Sequence, residues 1–578
     1  MTQAHWLDQY ASSYHEWHEA QDKGRHCFYR PLGTVETAFD SDGIYYQGRA
    51  DVNAFLELEV KHHLSKDQLQ RRITLAWAVL RLYHVLLLAR AVDKKPYMTA
   101  GNVAQRRFFL ICPPVGPEDA ISDATKSLAF IEQPLDDREL PSQFYRHAQN
   151  TGRVVNADEY LAKLFIFPVD ATVGTKTSLK FLFVKGHQIT DGLTNFTWLS
   201  HFVKLLNSPV ITLEEAVSSL SQRTSIQTRL PLPQEDLYPR ITGPRARKRW
   251  FWLLTVVLRH VKKPLPSAFA NPLRRTRPLK EATAMPPIHA RYLNYDVKPP
   301  LNTFTCMAKV PQSATKRLHK LCREAGTSIG AGAFVLVAMV MMSLHEDLYP
   351  DEAQESRRPF IGSFPINPRP FFKHHEAPNS MMLAFSDGVL LPFLPSSLDL
   401  ESRFKLLVKQ AHRQLSLYQK RAKVEETDAP AYMGSRGAGR VVAMNYVGAM
   451  ERLRAKLPEE FRSSLGNHSP QGDLTAAQNG SMATCGVSSV GRSAWRKGEY
   501  DVDRELDEGE DAFVADYRFS KQNVRARDGE FLVGVWGDDD GIAANVSYDG
   551  NAIDEDLVRE WQRRMESLLA ETESKARL

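Results

Sequence analysis

In the stretch SLKFLFVKGHQITDGLTNF, His187, Asp191 and Gly192 stand at the spacing His-x-x-x-Asp-Gly. Imidazole is the side chain suited to moving protons near neutral pH, because its unperturbed pKa lies there. Held at the end of a strand, His187 could serve as a general base toward a hydroxyl, with Asp191 and Gly192 keeping the turn in shape. The same residues also suit a plain turn, with a histidine after a strand and an aspartate capping the next helix. Three fixed residues recur by chance in about one chain in twenty of this length, so their setting has to decide. No other constellation competes. His201, His374 and His375 lack metal-ligand spacing and read as surface or core residues, no metal is expected, and neither a Walker nor a Rossmann glycine loop occurs.

The setting favours chemistry. SLKFLFVK reads as an apolar strand, and Leu193, Phe196, Leu199, Phe202, Val203 and Leu206 then follow a helical period. Asp191 thus falls at a helix N-terminus, where a carboxylate is favoured. Upstream, Ser65 with Gln68 forms a capping box ahead of a long amphipathic helix containing LAWAVLRLYHVLLLAR. RRFFLIC and LAKLFIFPV read as strands. In the second half, TFTCMAKVP predicts a strand and SATKRLHKLCREAG a helix stopped at Gly326. A helix capped by Thr327 or Ser328 follows. FIGSFPINPRPFF and RVVAMNYVGAM read as further strands, and the C-terminal stretch from Glu530 as strand, acidic turn, strand and amphipathic helix. Mixed helices and strands in both halves predict an α/β protein.

A chain of 578 residues can hold two cores. Its 74 basic and 68 acidic side chains leave a net charge of +6, too mild to suggest a nucleic-acid partner. The five cysteines are scattered and form no CxxC pair, which predicts free thiols in a reducing compartment. The polar N-terminal stretch resembles neither a signal nor a transit peptide, so a cytoplasmic protein is expected. The apolar run Ala331–Leu344 is too short to span a bilayer and predicts a buried helix. Between Pro244 and Lys280 there are eleven Lys or Arg and no Asp or Glu. This segment reads as a crossover containing a short apolar helix packed on the body. A membrane-surface helix without stable insertion and an anion-binding patch are the other readings. Residues 466–498 are rich in Gly, Ser, Asn and Ala and 499–511 are acidic, so about 466–511 reads as a mobile surface insertion.

Several pieces, in order, carry a resemblance. LAWAVLRLYHVLLLAR, the His187 motif, LHKLCREAGTSIGAGAFVLVAMVMM, Asn367 and Arg369 in FPINPRPFF, and MNYVGAM together resemble the superfamily of chloramphenicol acetyltransferase, plant-type alcohol acyltransferases and peptide-synthetase condensation domains. YRPLGTVETAF, GRADVNAFLELEV and FANPL look most like the fungal trichothecene 15-O-acetyltransferase type. Val85 departs from the family's proline, Gly186 stands where condensation domains carry a first histidine, and the plant-type Asp-Phe-Gly-Trp-Gly motif is absent. Trp536 in VGVWG is assigned to packing.

The resemblance implies a two-lobed chloramphenicol-acetyltransferase-like fold, each lobe a mixed β-sheet with flanking helices. The expected division is an N-terminal lobe over 1–235, the basic crossover over 236–300 and a C-terminal lobe over 301–578. It further implies that His187 is the general base, that Asp191 pairs with Arg369 to fix the turn, and that Gly192 keeps a side chain out of the channel. Asn445 on MNYVG is the leading oxyanion candidate, ahead of Asn379 and Ser380. Phe371, Phe372, Met381 and Met382 either line an apolar acceptor site or pack the core. The implied reaction is CoA-dependent O-acylation, with acetyl-CoA as co-substrate and a polycyclic alcohol as acceptor. A condensation-type enzyme fed by a carrier protein and a non-catalytic binding protein are the alternatives. The family contains fused monomers and trimers, and the length here favours a monomer.

Overall fold

The structure, a computed structural model, describes residues 6–100, 106–132, 139–169, 175–261, 265–281, 284–296, 302–372, 379–386, 388–419, 437–456, 459, 483–492, 495–509, 511–538 and 541–570. The first-half strands are β1 (His18–Asp22), β2 (Arg25–Pro31), β3 (Val52–His62), β4 (Arg90–Asp93), β5 (Arg107–Ile111), β6 (Leu128–Phe130), β7 (Ala162–Ile166) and β8 (Thr177–Lys185). Those of the second half are β9 (Thr303–Val310), β10 (Phe360–Ser363), β11 (Pro365–Ile366), β12 (Ala384–Phe385), β13 (Val389–Leu391), β14 (Cys485–Arg492), β15 (Phe513–Val524), β16 (Phe531–Gly537) and β17 (Ile542–Asp549). The helices used below are α1 (Thr34–Tyr45), α2 (Lys66–Tyr83), α3 (Gly192–Leu206), α4 (Arg245–Val261), α5 (Gln312–Glu324), α6 (Ile329–Leu348), α7 (Leu400–Gln419), α8 (Ala438–Lys456) and α9 (Glu555–Ser567).

Two large mixed sheets organise the molecule, in the orders β15-β3-β8-β7-β6 and β13-β10-β14-β16-β17-β9. In the first, β3 buries alternate residues from Ala54 to Val60 against α2 and α3, with Trp77, Phe181, Phe183 and Phe202 at the centre of the core. The period-2 pattern of the strands meets the 3.6-residue stripe of the helices there. In the second, α5, α6, α7 and α9 cover the sheet around Leu318, Val337, Phe404 and Trp561. Ser65 caps α2 and Gln68 bonds back to it, as its sequence predicts. Gly326 has φ +65° just after α5, so the left-handed stop is the reason for glycine there. By length and composition α6 is apolar enough to cross a membrane, yet most of it is buried between a sheet and other helices, as in a core helix. Trp536 is buried on β16, in the terminal hairpin.

Four expectations need correction. First, Cys27 and Cys112 form a disulfide, and only Cys306, Cys322 and Cys485 are free thiols. The antiparallel register of β2 with β5 sets Phe28 opposite Ile111, so the two cysteines are cross-strand neighbours although 85 residues separate them. That removes the cysteine half of the case for a reducing compartment. Second, RVVAMNYVGAM is helical, within α8. Third, Cys485–Arg492 is no surface insertion, since β14 runs parallel to both β10 and β16 inside the second sheet. Residues 466–482 of that stretch lie outside the described residues. Fourth, the division at residue 301 does not hold for the sheets, because β15 completes the first-lobe sheet by pairing antiparallel with β3 from Val52 to His62. The crossover does pack on the body. Phe269 bonds to Pro359 beside the second sheet, while Tyr292 and Leu293 join the Phe144 cluster of the first.

Candidate active site

The end of β8 builds the site. Gly186 N–H donates to the Leu161 carbonyl at 2.8 Å, Ile189 N–H returns to Gly186 at 3.2 Å, and Thr190 N–H bonds to His187 at 3.4 Å. Asp191 then caps α3, its Oδ1 accepting from Thr194 N–H at 2.9 Å. The segment is therefore the strand, turn and helix that its periodicity predicts. A Cβ at Gly186 would lie 2.3 Å from Oε1 of Gln188, so any larger residue would have to displace this buried side chain, which donates to Asp40 at 3.2 Å.

His187 is half-buried, with its ring stacked on Phe39 of α1 at a centroid distance of 3.9 Å and an interplanar angle of 8°. Nδ1 is sealed off with no hydrogen-bond partner among the described residues, while the residue as a whole keeps part of its surface exposed. Burial pushes the pKa down to about 4, outweighing the opposing pull of nearby backbone and of the Asp191 carboxylate. The positive charge of Arg527, whose guanidinium lies 6.0 Å from the Phe39 ring, acts in the same direction as burial. The imidazole is thus neutral at pH 7 and able to accept a proton.

Asp191 points away from this ring into a buried knot. Its Oδ2 accepts from Arg369 Nη2 at 2.7 Å and from Met382 N–H at 2.8 Å. The same Arg369 nitrogen reaches Thr194 Oγ1 at 2.7 Å and the Ser380 carbonyl at 2.8 Å, while Thr194 Oγ1 donates to that carbonyl at 2.7 Å. Asn367 aims the arginine by accepting from its backbone N–H at 3.1 Å and its Nη1 at 3.3 Å. The structure so brings together Asp191 of the first lobe with Arg369 of the second. Gly192 is also at this junction, where a Cβ would make an ordinary van der Waals contact at 3.4 Å with Val490 of β14 and no positive φ calls for glycine.

The other candidates fall differently. Asn445 lies half-buried on α8, a helix packed on α1, and not at a strand end. Ser380 enters the knot through its carbonyl, and Asn379 beside it is exposed. Met381 packs with Val35, Phe39 and Ala50, which puts it in the cluster behind the His187 stack. Phe371, Phe372 and Met382 are core residues of a cluster with Trp6, Tyr10 and Tyr446. His201 is half-buried and bonded to His84 at 3.1 Å, and His374 and His375 lie outside the described residues.

Three contributors escaped the sequence reading. Phe39 orients the imidazole. Asp40, one residue on, holds Gln188 and accepts from Arg107 at 2.6 Å. Lys185 is buried with its ammonium 5.0 Å from the Phe183 ring centre and bonded to Asn195, and burial draws its pKa down to about 7. A lone lysine ending the run FLFVK was a legible hint, whereas nothing in the composition of α1 marks Phe39.

No protein-family model matches the chain, and no curated protein matches it in sequence. Among solved structures, trichothecene 15-O-acetyltransferase from Fusarium sporotrichioides is similar, with a TM-score of 0.62, 11% identity, and a match covering 96% of this chain and 97% of that one. The first condensation domain of the calcium-dependent antibiotic synthetase is more distant, with a TM-score of 0.49, 11% identity, and coverage of 93% and 94%. SgcC5 protein from Streptomyces globisporus gives a TM-score of 0.47 at 10% identity, with coverage of 93% and 98%. Over nearly its whole length, the chain has the two-lobed α/β fold that this acetyltransferase has.

Proposed function

We propose that the chain is a CoA-dependent O-acyltransferase acting on a hydroxyl of a polycyclic secondary metabolite, with His187 as general base. The observation that carries this reading is a neutral, half-buried imidazole at the end of β8, stacked on Phe39 and with its Nδ1 sealed. Nε2 takes the proton of the acceptor hydroxyl as its oxygen attacks the thioester carbonyl. When the tetrahedral intermediate collapses, the thiolate leaves and the imidazolium returns the proton to it. Such base catalysis contributes roughly a hundred- to ten-thousand-fold, and holding both substrates together supplies more. Asp191 serves as the positioning residue that, through Arg369, anchors the turn across both lobes.

A covalent acyl-cysteine route finds no support among the free thiols. Burial pushes Cys306 up to about 12 and raises Cys322 and Cys485 as well, so all three are protonated at neutral pH. A carrier-protein condensation reaction is less favoured, because Gly186 stands where condensation domains carry the first of two adjacent histidines. The trichothecene-like acceptor rests on the similarity to the Fusarium enzyme. The test is thiol release from acetyl-CoA with a panel of hydroxylated terpenoids, comparing wild type with His187→Ala, and an acyl-loaded carrier protein as the rival donor. Unchanged release in the variant would remove the base role, and turnover with the carrier alone would replace CoA as donor.

A further inference from the structure

Helix α4 has two apolar faces, and the fold uses one of them. Phe251, Trp252, Thr255 and Arg259 face the body. Trp252 meets Trp6 edge-on at 5.3 Å, Arg440 donates to the Phe251 carbonyl at 2.7 Å, and Arg259 forms a buried ion pair with Glu451. On the opposite side Trp250, Leu253, Val257 and Val261 recur at steps of three, four and four residues, which aligns them in one stripe. Their exposures are 60%, 53%, 43% and 69%, and Leu258 borders the stripe at 36%. Large apolar side chains gathered on one exposed helix face mark an interaction surface.

Charge narrows the partner. Arg245, Arg247, Lys248 and Arg249 are all exposed in the first turn and a half of α4. From Pro244 to Lys280 the sequence has eleven basic residues and no acidic one. A basic flank beside an apolar stripe carrying a tryptophan is the chemistry of a helix lying in the headgroup region of an anionic bilayer. There the apolar side chains enter the acyl boundary while guanidinium and ammonium groups stay level with the phosphates. The charges on α4 and its locked inner face exclude a spanning orientation. We propose that α4 is a peripheral docking surface for anionic lipid, holding the whole folded chain reversibly at a membrane.

The proposal is tested by flotation of the full chain with phosphatidylcholine vesicles, with and without phosphatidylserine. Binding is expected only with phosphatidylserine and weakens as salt rises. Replacing Arg247, Lys248 and Arg249 together by Ser lowers partitioning on the order of a hundredfold, at about fivefold per basic residue. Trp250→Ser with Leu253→Ser and Val257→Ser abolishes it, with circular dichroism and melting temperature unchanged because these side chains face solvent. No flotation with acidic vesicles, or flotation indifferent to both triple variants, overturns the proposal. So does a wild type that dimerises in sedimentation and is made monomeric by Trp250→Ser without binding lipid, since a second copy would then cover the stripe.

Discussion

Replacing Asp191 by Asn isolates the charge in the knot that joins the lobes. The carboxylate accepts three hydrogen bonds, from Thr194 N–H at Oδ1 and from Met382 N–H and Arg369 Nη2 at Oδ2. Asparagine has one acceptor oxygen. If it stays on Thr194, the amide NH2 faces two donors, which loses a charged hydrogen bond and strands a buried N–H, together about 3–5 kcal/mol. If it flips toward Arg369, the helix cap goes at about 1 kcal/mol and the pair loses its charge, for about 2 kcal/mol or more in total. The cheaper conformation sets the outcome, so a loss of about 2–3 kcal/mol is expected from urea midpoints. Turnover should fall at least about tenfold, because a shift of the adjoining turn carries His187 with it. Pairing the change with Arg369→Met in a double-mutant cycle should return a coupling of about 1.5 kcal/mol or more. A variant within about 0.5 kcal/mol of wild type with normal turnover, or a coupling near zero, would refute the anchoring role.

Other expectations follow from the same neighbourhood. Because burial pushes the folded ring down to about 4 from the ordinary histidine value of 6.5, the acid limb of kcat/KM should lie near pH 4. The sign for stability is the same: the unfolded chain binds the proton first, so the contribution of His187 is intact above pH 6.5 and is lost as pH falls toward 4. A limb at 6.5 would contradict the burial assigned to the ring. Phe39→Leu removes the stacked face and admits water, so it should lower kcat and move the acid limb upward, measured as a full pH profile. An unchanged profile would show that the stack does not tune the imidazole. Gly186→Ala forces Gln188 off Asp40 and should cost about 1–3 kcal/mol in chemical denaturation, while a neutral result would contradict the tight turn. Thiol titration of denatured, unreduced protein should count three reactive cysteines, and five only after reduction. Five without reductant would disprove the Cys27–Cys112 bond.

Sequence patterns exposed what is local and hid what is distant. The change from strand to helical period across His187 and the cap at Asp191 were legible because neighbouring residues set both. The partnership of Asp191 with Arg369 spans 178 residues and came only through resemblance. Valines and a tyrosine gave RVVAMNYVGAM a strand-like look, yet Val442, Tyr446, Val447, Met450 and Leu453 carry the helical spacing that α8 buries. Strand β14 was hidden by composition. Gly486 reads as loop, yet it lies on β14 opposite Leu532 of β16, whose Cδ2 would stand 2.4 Å from a Cβ there. The disulfide was invisible for the same reason as β15: register between strands far apart in the chain is a property of the folded sheet.

Strand β15 has a consequence for synthesis and for truncation. While the polypeptide emerges from the ribosome, β3 keeps a bare edge until Val524 has been made, and such an edge is open to pairing with other nascent chains. A fragment ending near residue 300 would carry that defect permanently. Supplying residues 301–578 as a separate polypeptide should restore solubility to the fragment if Phe513–Val524 again covers the β3 edge.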